Sequence, residues 1–490
     1  MTSLPDSADH LSSSRLAGRL WAVGVLVSVA FVFITANSYD AGDSIQHYLY
    51  ARSVPRHPLN LFSSWAKPLF TLLMAGPAQL GFRAVMLTQC ALVAASAWLS
   101  FRVARGLELS LAALAVLFCY AAPDYFRIQF SGLTEPLFGL VLVGAVALAV
   151  GGRAGWSAAL VSWLPFVRSE GFIMLGVWVV YLVWQRRWAR LPGLLLGYAV
   201  YTVVGGLVLG EWGWVFGRNP YPTVSPYGHG DWMTFVVGLL FLLGIVPFAL
   251  VLLGAGAQVA RLLRRDAPWA DPRFQAELLL VYGSIATFVG AHTVFWALGI
   301  FGSAGLTRVL TVLTPLLAVV AVRGLGLLVG LTSSAVARRR IVLATSSLTV
   351  LLLFTGLRVG FRWQRDFAQP GDVTLAEQAA AWYRQLPVGP RRPLVAEHPA
   401  LVRALAIQVF DSVARLPNGK PRPHRIELDP LPVGALLFWD DWFSRVEGHL
   451  ELQTIAADPR FRQRWAATAV RQPDDPGGGS CRVIVFEKIK

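Results

Sequence analysis

Eleven apolar runs follow one another through the first 357 residues, and short polar loops separate them. A helix that crosses a bilayer needs about 20 predominantly apolar residues. The runs cover residues 17–37, 84–101, 108–122, 135–150, 155–167, 171–184, 191–210, 233–256, 276–298, 307–330 and 341–357. Several runs between 108 and 184 are short for a crossing, which predicts broken or re-entrant segments that protein or a water-filled cavity must cover. The sequence therefore predicts an α-helical polytopic membrane protein with about 11 transmembrane helices.

Charge divides the chain into two parts. Of the 71 Asp, Glu, Lys and Arg residues, 33 fall in residues 361–490, a density usual for a soluble domain. We therefore predict a cytoplasmic tail at 1–16, a transmembrane domain at 17–358 whose first outer loop is 38–67, and an extracytoplasmic domain at 359–490. The first apolar run is too long for a signal-peptide core, which favours an uncleaved anchor.

The arginines predict the orientation in the membrane. With the N-terminus inside, the inner loops hold fifteen arginines and the outer loops hold seven Arg or Lys, which supports this topology. The net charge of +15 does not indicate nucleic-acid binding, because no dense basic tract with interleaved aromatic residues occurs. The three cysteines, Cys90, Cys119 and Cys481, are far apart and indicate neither a disulfide framework nor a thiolate metal site.

Ionisable side chains gather on the predicted outer face from loops that are far apart in the sequence. Such groups at membrane depth are costly and commonly mark functional sites. The candidates are Asp40, Asp43, His47, Lys67, Glu135, Arg168, Glu170, His229, Asp231, His292 and Arg308. We predict that they converge outside the bilayer.

The first outer loop carries two acids and a histidine directly after the first span. Asp43 and His47 are four residues apart, so on a helix they share a face; a local cap and a surface histidine are the structural alternative. Farther along, Trp65 is expected at headgroup level and Lys67 near lipid phosphate. An ordinary juxtamembrane linker is the alternative there.

Three further charges lie where predicted spans begin. Glu135 precedes Pro136, a residue favoured in a first helical turn, and an acid that complements the helix dipole is the alternative to a functional role. Arg168 and Glu170 join two spans with almost no loop. Because charges there are costly, we favour function over a buried structural pair.

The remaining candidates lie in the second half of the membrane region. His229 and Asp231 belong to a loop rich in Pro, Gly and Tyr, where they would ligate a metal or orient a sugar, although a solvated loop is the favoured explanation. His292 lies in the outer half of its span. Arg308 starts the next span and opposes its helix dipole, which predicts an anionic partner, either a carboxylate or a phosphate.

Three motifs carry a family resemblance: WAKPLF at 65–70, LTEPLF at 133–138 and FVRSEG at 166–171. With the Asp-bearing first outer loop, their order and spacing resemble bacterial members of the GT-C superfamily. These are integral-membrane glycosyltransferases related to the protein mannosyltransferases. The resemblance covers about residues 17–331, and such proteins also carry an exported tail.

The resemblance implies an inverting glycosyltransferase of the bacterial cytoplasmic membrane that moves a hexose, mannose being one candidate, from a polyprenyl-phosphate donor. The acceptor would be an extracytoplasmic hydroxyl of a glycan, lipid or protein. A first-loop acid of the family is usually the base or part of the acceptor and metal site, and here that role falls on Asp43 or Asp40. The family usually has two adjacent acids; here Ala and Gly separate them, so the choice stays open, with Asp43 favoured for sharing a face with His47.

Such a reaction needs positive charge for the departing lipid phosphate. Lys67, Arg168 and Arg308 are the candidates, and Glu135 and Glu170 would orient acceptor hydroxyls or hold Arg168. A divalent cation, Mg²⁺ or Mn²⁺, would serve the same purpose, but no ligand spacing establishes one. The alternative function is a multi-pass transporter or flippase of a lipid-linked or anionic substrate.

The C-terminal segment predicts a small α/β domain. A helix at 374–386, a strand and helix within 393–406, a buried strand within 434–443 and a closing strand at 481–489 alternate along it. The polar residues near the strand ends are Glu397, His398, Asp440 and Asp441. They would recognise an acceptor or cap a rigid lid.

Overall fold

A computed structural model describes residues 7–35, 38–218, 221, 223–264, 268–355, 371–387, 392–407, 426–470 and 479–490. The chain divides into two compact units. The first, which we name the helical unit, comprises Met1–Ile34 and Leu59–Trp363. The second, the sheet unit, comprises Thr35–Pro58 and Gln364–Lys490.

The α-helices are numbered in chain order. They are α1 Ser7–Ile34, α2 Asp43–Ser53, α3 Pro68–Gln79, α4 Phe82–Gly106, α5 Leu114–Tyr120, α6 Pro123–Ile128, α7 Glu135–Val150, α8 Ala154–Val161, α9 Gly171–Trp184, α10 Leu196–Leu209, α11 Trp214–Gly217, α12 Thr234–Leu243, α13 Ile245–Leu262, α14 Pro272–Ala276, α15 Ser284–Leu298, α16 Thr314–Gly330, α17 Ala335–Thr355, α18 Gly371–Arg384, α19 Pro399–Ala404 and α20 Leu452–Ala456. Short 3₁₀ segments occur at Pro58–Phe62, Leu164–Phe166, Trp188–Leu195 and Thr307–Leu313, and π-helical turns at Glu277–Gly283 and Phe443–Glu447.

Within the described residues, six helical segments are long and apolar enough to cross a membrane. They are Ser13–Ile34, Phe82–Gly106, Trp188–Leu209, Ile245–Leu262, Pro272–Leu298 and Thr307–Gly330. Helices α7, α9 and α12 are apolar but shorter. Each predicted span contains helix, and the helices between 108 and 184 are short or interrupted, as the sequence indicated.

Two predicted spans differ from the structure for local reasons. The predicted span 233–256 is two helices, because Gly244 has a φ of 78° and separates α12 from α13. The predicted span 276–298 begins earlier, at Pro272, with the short helix α14. The π-helical turn Glu277–Gly283 follows α14 and leads into α15. π-Helical turns are rare in proteins, and those that do occur are often found at functional sites.

The centre of the helical unit is built by α4, α7 and α16. Helix α7 fully buries Phe138 and Leu142, and α16 fully buries Leu316 and Leu325. By contrast, α1 and α10 leave many apolar side chains exposed, among them Leu26 at 69% and Leu207 at 73%. Exposed apolar helices around a packed centre are typical of a protein whose outer surface faces lipid.

The sheet unit is built on four strands in the order β1-β2-β4-β3. The strands are β1 Leu394–Ala396, β2 Leu436–Asp440, β3 Phe461–Val470 and β4 Ser480–Lys488. β1 is parallel to β2, and β4 is antiparallel to both β2 and β3. Side chains alternate between two cores, so Leu436 and Phe438 face one core and Leu437 and Trp439 face the other. The predicted α/β character of this domain is thereby confirmed, and β3 is a strand that the sequence analysis did not identify.

The residues Thr35–Pro58, which follow the first span, belong to the sheet unit. Ala41 and Ile45 pack in one core with Val373 of α18 and Leu401 of α19. The sequence analysis placed this stretch in the transmembrane domain, so the observed division differs from the predicted one. The predicted boundary at 358/359 lies outside the described residues.

Candidate active site

Six charged or ionisable side chains meet in the helical unit, and we name them the Arg168 cluster: Lys67, Glu135, Arg168, Glu170, His292 and Arg308. Arg168 is its centre. One guanidinium nitrogen, Nη1, lies 2.9 Å from Glu135 Oε1, and the other, Nη2, donates to Glu170 Oε1 at 2.9 Å. Nη1 also donates to the Thr134 hydroxyl at 3.0 Å. Two carboxylates thus hold one arginine in a fixed orientation.

A tight turn places Arg168 and Glu170 at the start of α9. The turn follows the 3₁₀ segment Leu164–Phe166, and the Arg168 amide donates to the Leu164 carbonyl at 2.9 Å. Gly171 closes it, because a Cβ there would lie 2.2 Å from the Leu164 carbonyl carbon. The sequence FVRSEG therefore specifies a turn whose two charged side chains point into the cluster, and Gly171 is the residue that permits it.

Lys67 joins the cluster from the residue before α3. Its backbone has a φ of 65°, an uncommon conformation for a residue other than glycine. Nζ donates to the Ser169 hydroxyl at 2.9 Å and lies 4.7 Å from the centre of the Tyr221 ring. Burial lowers the pKa of Lys67 to about 7, with Glu170 opposing this change and Arg168 adding to it. The ammonium group is therefore poised to gain or lose its proton near neutral pH.

His292 and Arg308 complete the cluster from two later segments. His292 Nε2 is 3.4 Å from Glu170 Oε1, and its ring packs 4.6 Å from the Phe288 ring. Arg308 Nε lies 4.0 Å from Glu135 Oε1, so the anionic partner predicted for this arginine includes a carboxylate. Burial alone would raise the pKa of Glu170, but Arg168 and His292 together hold it well below its usual range. Glu170 is therefore ionised.

The side chains of the cluster do not use all of their own hydrogen-bonding capacity. Among the described residues, Glu135 Oε2, Arg168 Nε and His292 Nε2 are buried without a hydrogen-bond partner, since the His292–Glu170 contact lacks hydrogen-bond geometry. Buried polar atoms are nearly always paired, so each exception needs an explanation. Two acids face three basic side chains, which leaves an excess of positive charge when Lys67 is protonated. The arrangement is suited to an anionic ligand that also offers hydroxyl groups.

Asp40, Asp43 and His47 belong to the sheet unit, unlike the Arg168 cluster. Asp40 Oδ1 accepts a hydrogen bond from the Ser44 amide at 2.9 Å, which caps the first turn of α2. Asp43 begins α2 and His47 lies one turn later, with 7% of its surface exposed. Asp40 therefore has a structural task, and the role of Asp43 stays a prediction.

The other predicted residues, His229 and Asp231, lie in the loop before α12. His229 and Asp231 are exposed, and Asp231 accepts a hydrogen bond from the Met233 amide before α12. In the described part of the chain, no group of three or more His, Cys, Asp or Glu side chains is placed to hold a metal ion.

Three residues that contact the cluster were not predicted from the sequence: Thr134, Ser169 and Tyr221. The first two adjoin predicted residues in the LTEPLF and FVRSEG motifs, and their hydroxyls accept hydrogen bonds from Arg168 and Lys67. Tyr221 lies in the loop that drew attention only for His229 and Asp231. Its position between two prolines was the available signal, because such a loop holds an aromatic ring in place.

The fold of the chain is similar to that of solved membrane-protein structures, and the chain is a multi-pass membrane protein. Two crystal structures of ArnT from Cupriavidus metallidurans match it along nearly their whole length. The complex with undecaprenyl phosphate has a TM-score of 0.57 at 14% identity and covers 95% of this chain and 97% of that chain. The apo structure has a TM-score of 0.58 at 12% identity and covers 96% and 98%.

Other comparisons add less. The Archaeoglobus fulgidus oligosaccharyltransferase tethered to an acceptor peptide has a TM-score of 0.46 at 11% identity, covering 80% of this chain and 63% of that one. No protein-family model matches the chain, and no curated protein sequence matches it. At these identities the similarity establishes the fold alone. The predicted fold class, an α-helical polytopic membrane protein with a C-terminal α/β domain, is confirmed.

Proposed function

We propose that this protein is an inverting glycosyltransferase that moves a sugar from a polyprenyl-phosphate donor to an acceptor hydroxyl outside the cytoplasmic membrane. The observation that carries the proposal is the Arg168 cluster, a buried and internally unsaturated group of charges in a GT-C fold. A solved protein of the same fold was crystallised with undecaprenyl phosphate, a ligand whose charge such a cluster suits.

In this proposal the basic side chains receive the phosphate of the donor. Lys67, Arg168 and Arg308 come from three separate segments, so they would surround the phosphate rather than contact one edge. Glu135 and Glu170 hold Arg168 in its orientation and prevent it from turning away. Preorganised donors of this kind stabilise charge that develops on a leaving group, because no reorganisation is needed during the reaction.

The reaction is a single displacement at the anomeric carbon of the donor sugar. The acceptor oxygen forms a bond to that carbon from the face opposite the phosphate, and the bond from carbon to phosphate oxygen breaks. Its electron pair leaves with the lipid phosphate, and the acceptor proton passes to a carboxylate acting as base. The configuration at the anomeric carbon is inverted.

We assign the base to Asp43 rather than Asp40. The Asp40 carboxylate accepts a hydrogen bond from the Ser44 amide in the first turn of α2, and Asp43 starts that helix one turn before His47. His47 would tune or orient the acid from the same face. We propose substrate-orienting roles for His292 and, in the acceptor path, for the exposed pair His229 and Asp231.

The decisive experiment is a transfer assay with purified full-length protein. Radiolabelled polyprenyl-phosphate sugars, mannose among them, are offered with glycan, lipid and peptide acceptors, and the wild type is compared with Asp43→Asn. We expect the variant to lose about 10²–10⁴-fold in rate, the range of general-base catalysis. Asp429→Asn is the matched control, since its side chain is 85% exposed. Parallel reactions with EDTA and with added Mg²⁺ or Mn²⁺ test metal dependence.

Two outcomes would count against the proposal. Equal transfer by wild type and Asp43→Asn removes Asp43 from the role of base. Absence of transfer with every donor, combined with movement of a lipid-linked substrate across proteoliposome membranes, favours the transporter or flippase. A topology reporter fused at Lys490 tests the proposed extracytoplasmic location of the sheet unit, and a cytoplasmic signal from it would reverse the orientation.

A further inference from the structure

A second buried charge cluster lies where α13 and α16 pack against each other. The two helices meet backbone to backbone, because a Cβ at Gly254 would lie 2.2 Å from the Val320 carbonyl oxygen and one at Gly324 only 1.9 Å from that of Leu250. Small residues permit such close contacts between membrane helices. Gly254 is one helical turn before Gln258, and Gly324 follows Arg323, so the contact brings these polar side chains together.

Glu277, the first residue of the π-helical turn, is shared by two arginines. Its Oε2 accepts from Arg261 Nη1 at 3.0 Å, and its Oε1 accepts from Arg323 Nε at 2.5 Å. Arg261 Nη1 also donates to Gln258 Oε1 at 2.9 Å. We name Gln258, Arg261, Glu277 and Arg323 the Arg323 cluster. One carboxylate against two guanidinium groups leaves one positive charge in excess.

The exposure of these side chains differs in an informative way. The side chain of Glu277 is 4% exposed, whereas Arg261 and Arg323 are 29% and 17% exposed. Gln258 is 2% exposed, and its Nε2 has no hydrogen-bond partner among the described residues. One carboxylate can accept from two arginines, but a purely structural tie in a buried site balances its charge and leaves no buried donor unsatisfied. The second arginine and the amide group therefore point to an additional anion.

The Arg323 cluster lies at the end of the helical unit opposite to the Arg168 cluster. Arg323 follows Arg308 by fifteen residues, and Glu277 precedes His292 by the same number. At about 1.5 Å per helical residue, both paths give a separation along the helices of roughly 22 Å. This distance is roughly three quarters of the thickness of a hydrocarbon core, which is about 30 Å.

Aromatic side chains mark this end as a membrane interface. Trp184 stacks on Trp269 with ring centres 6.1 Å apart, and both rings are partly exposed. Phe274 packs against Trp269, and the Arg261 guanidinium lies 4.8 Å from the centre of the Phe274 ring. Tryptophan is enriched at headgroup level, so Arg261 lies at the depth of lipid phosphates.

We propose that the Arg323 cluster binds a phosphate group, and specifically the headgroup phosphate of an anionic phospholipid, in the leaflet opposite to the Arg168 cluster. The phosphate oxygens would accept from both guanidinium groups and from Gln258 Nε2, which neutralises the excess charge. Basic pockets between membrane helices recognise anionic headgroups in this way. The proposal is independent of the transferase function, since neither cluster shares a residue with the other.

The test measures lipid retention by native mass spectrometry of the full chain. The protein is titrated with phosphatidylglycerol and, separately, with phosphatidylcholine, and inorganic phosphate is added as a competitor in a third arm. We expect preferential retention of phosphatidylglycerol, reduced roughly fivefold by Arg261→Gln or Arg323→Gln, the effect of about one arginine near an anionic headgroup. Displacement by inorganic phosphate at low millimolar concentration supports a phosphate site that accepts the free ion as well.

A third variant separates binding from a structural tie. Glu277→Gln removes the competing carboxylate, so lipid retention should rise, whereas a structural tie predicts unchanged retention and lower thermal stability. Arg273→Gln is the control, because Arg273 is 54% exposed and pairs with Glu108. Equal retention of both lipids by the wild type, or equal losses in Arg273→Gln and Arg323→Gln, would overturn the proposal. The wild-type lipid comparison does not depend on whether any variant folds.

Discussion

Two polar groups with little exposed surface, the Arg168 cluster of the helical unit and the Asp440 carboxylate of the sheet unit, differ in how completely they are paired. Asp440 is 2% exposed, and its two oxygens accept four hydrogen bonds. The donors are the Trp442, Phe443 and Ser444 amides and the Ser444 hydroxyl. In the Arg168 cluster, by contrast, Glu135 Oε2, Arg168 Nε and His292 Nε2 are buried without a hydrogen-bond partner among the described residues.

A neighbour of Asp440 shows the same completeness. His398 Nδ1 accepts from the Ala400 amide at 3.0 Å, which caps α19, and Nε2 is 3.0 Å from Asp372 Oδ2. Both ring nitrogens are thus used within the fold. The difference teaches that burial of charge alone does not identify a site. Unused hydrogen-bonding capacity distinguishes a group that awaits a ligand from one that holds the chain in place.

The largest effect is expected from Arg168→Gln. Loss of the central cation should lower kcat/KM for transfer by about 10²–10³-fold, the effect of removing one preorganised donor to a developing charge. The variant also leaves Glu135 and Glu170 without their buried partner, so stability falls as well. Activity is therefore measured on the folded fraction, determined by size-exclusion chromatography and thermal unfolding.

Arg168→Lys separates charge from geometry in the same assay. It keeps the positive charge but cannot hold both carboxylates with a planar fork, so an intermediate rate is expected. If folded Arg168→Gln transfers sugar at the wild-type rate, the unused hydrogen-bonding capacity of the Arg168 cluster does not mark it as a functional site, and the contrast with Asp440 fails.

The second effect concerns stability rather than transfer. Asp440→Asn replaces one accepting oxygen by an amide group that faces backbone donors, which should cost about 2–3 kcal/mol. Hydrogen–deuterium exchange of β2 and β4 peptides measures the loss, with the exposed Asp429→Asn as control. Transfer by the folded fraction should stay within twofold of wild type. Normal stability with lost transfer would instead assign Asp440 to acceptor recognition.

The smallest effect is a pH dependence of donor binding. Lys67 precedes α3 and lies outside the membrane-spanning helices, and its pKa is lowered to about 7 in the free protein. A bound phosphodiester favours the protonated amine and raises that pKa, so binding takes up a proton above pH 7. Affinity should therefore be greatest below pH 7 and fall by at most about tenfold per unit as pH rises above it.

Lys67→Arg provides the comparison, because arginine stays charged throughout this range. Affinity for a polyprenyl-phosphate sugar is measured by microscale thermophoresis from pH 6 to pH 9. The variant should bind with nearly constant affinity. A profile for the wild type that matches the variant would show that Lys67 does not meet the phosphate.

Much of the helical unit was predictable from the sequence, since the length of an apolar run is a strong local signal. The members of the Arg168 cluster were also predictable. Glu135, Arg168 and Glu170 lie at the ends of apolar segments, where a charged side chain is too costly in free energy to occur by chance. Which atoms meet was not predictable. Lys67 joins Ser169 across 102 positions, and no periodicity encodes such a contact.

The sequence did not predict that residues Thr35–Pro58 belong to the sheet unit, and the reason is a different one. Ile45, Tyr48 and Ala51 are buried at spacings of three, which predicts a helix with one apolar face. Periodicity identifies such a face but not the surface that covers it. The covering residues come from α18 and α19, more than 300 positions later in the chain.

This arrangement has a consequence for any truncation of the protein. A fragment that starts at Gln364 lacks Ala41 and Ile45, which share a core with Val373 and Leu401. Conversely, deletion of the C-terminal segment uncovers α2 and with it the backbone that carries Asp43. The sheet unit is therefore assembled from two stretches of polypeptide, one directly after α1 and one after the last membrane helix, and each stretch supplies part of the same core.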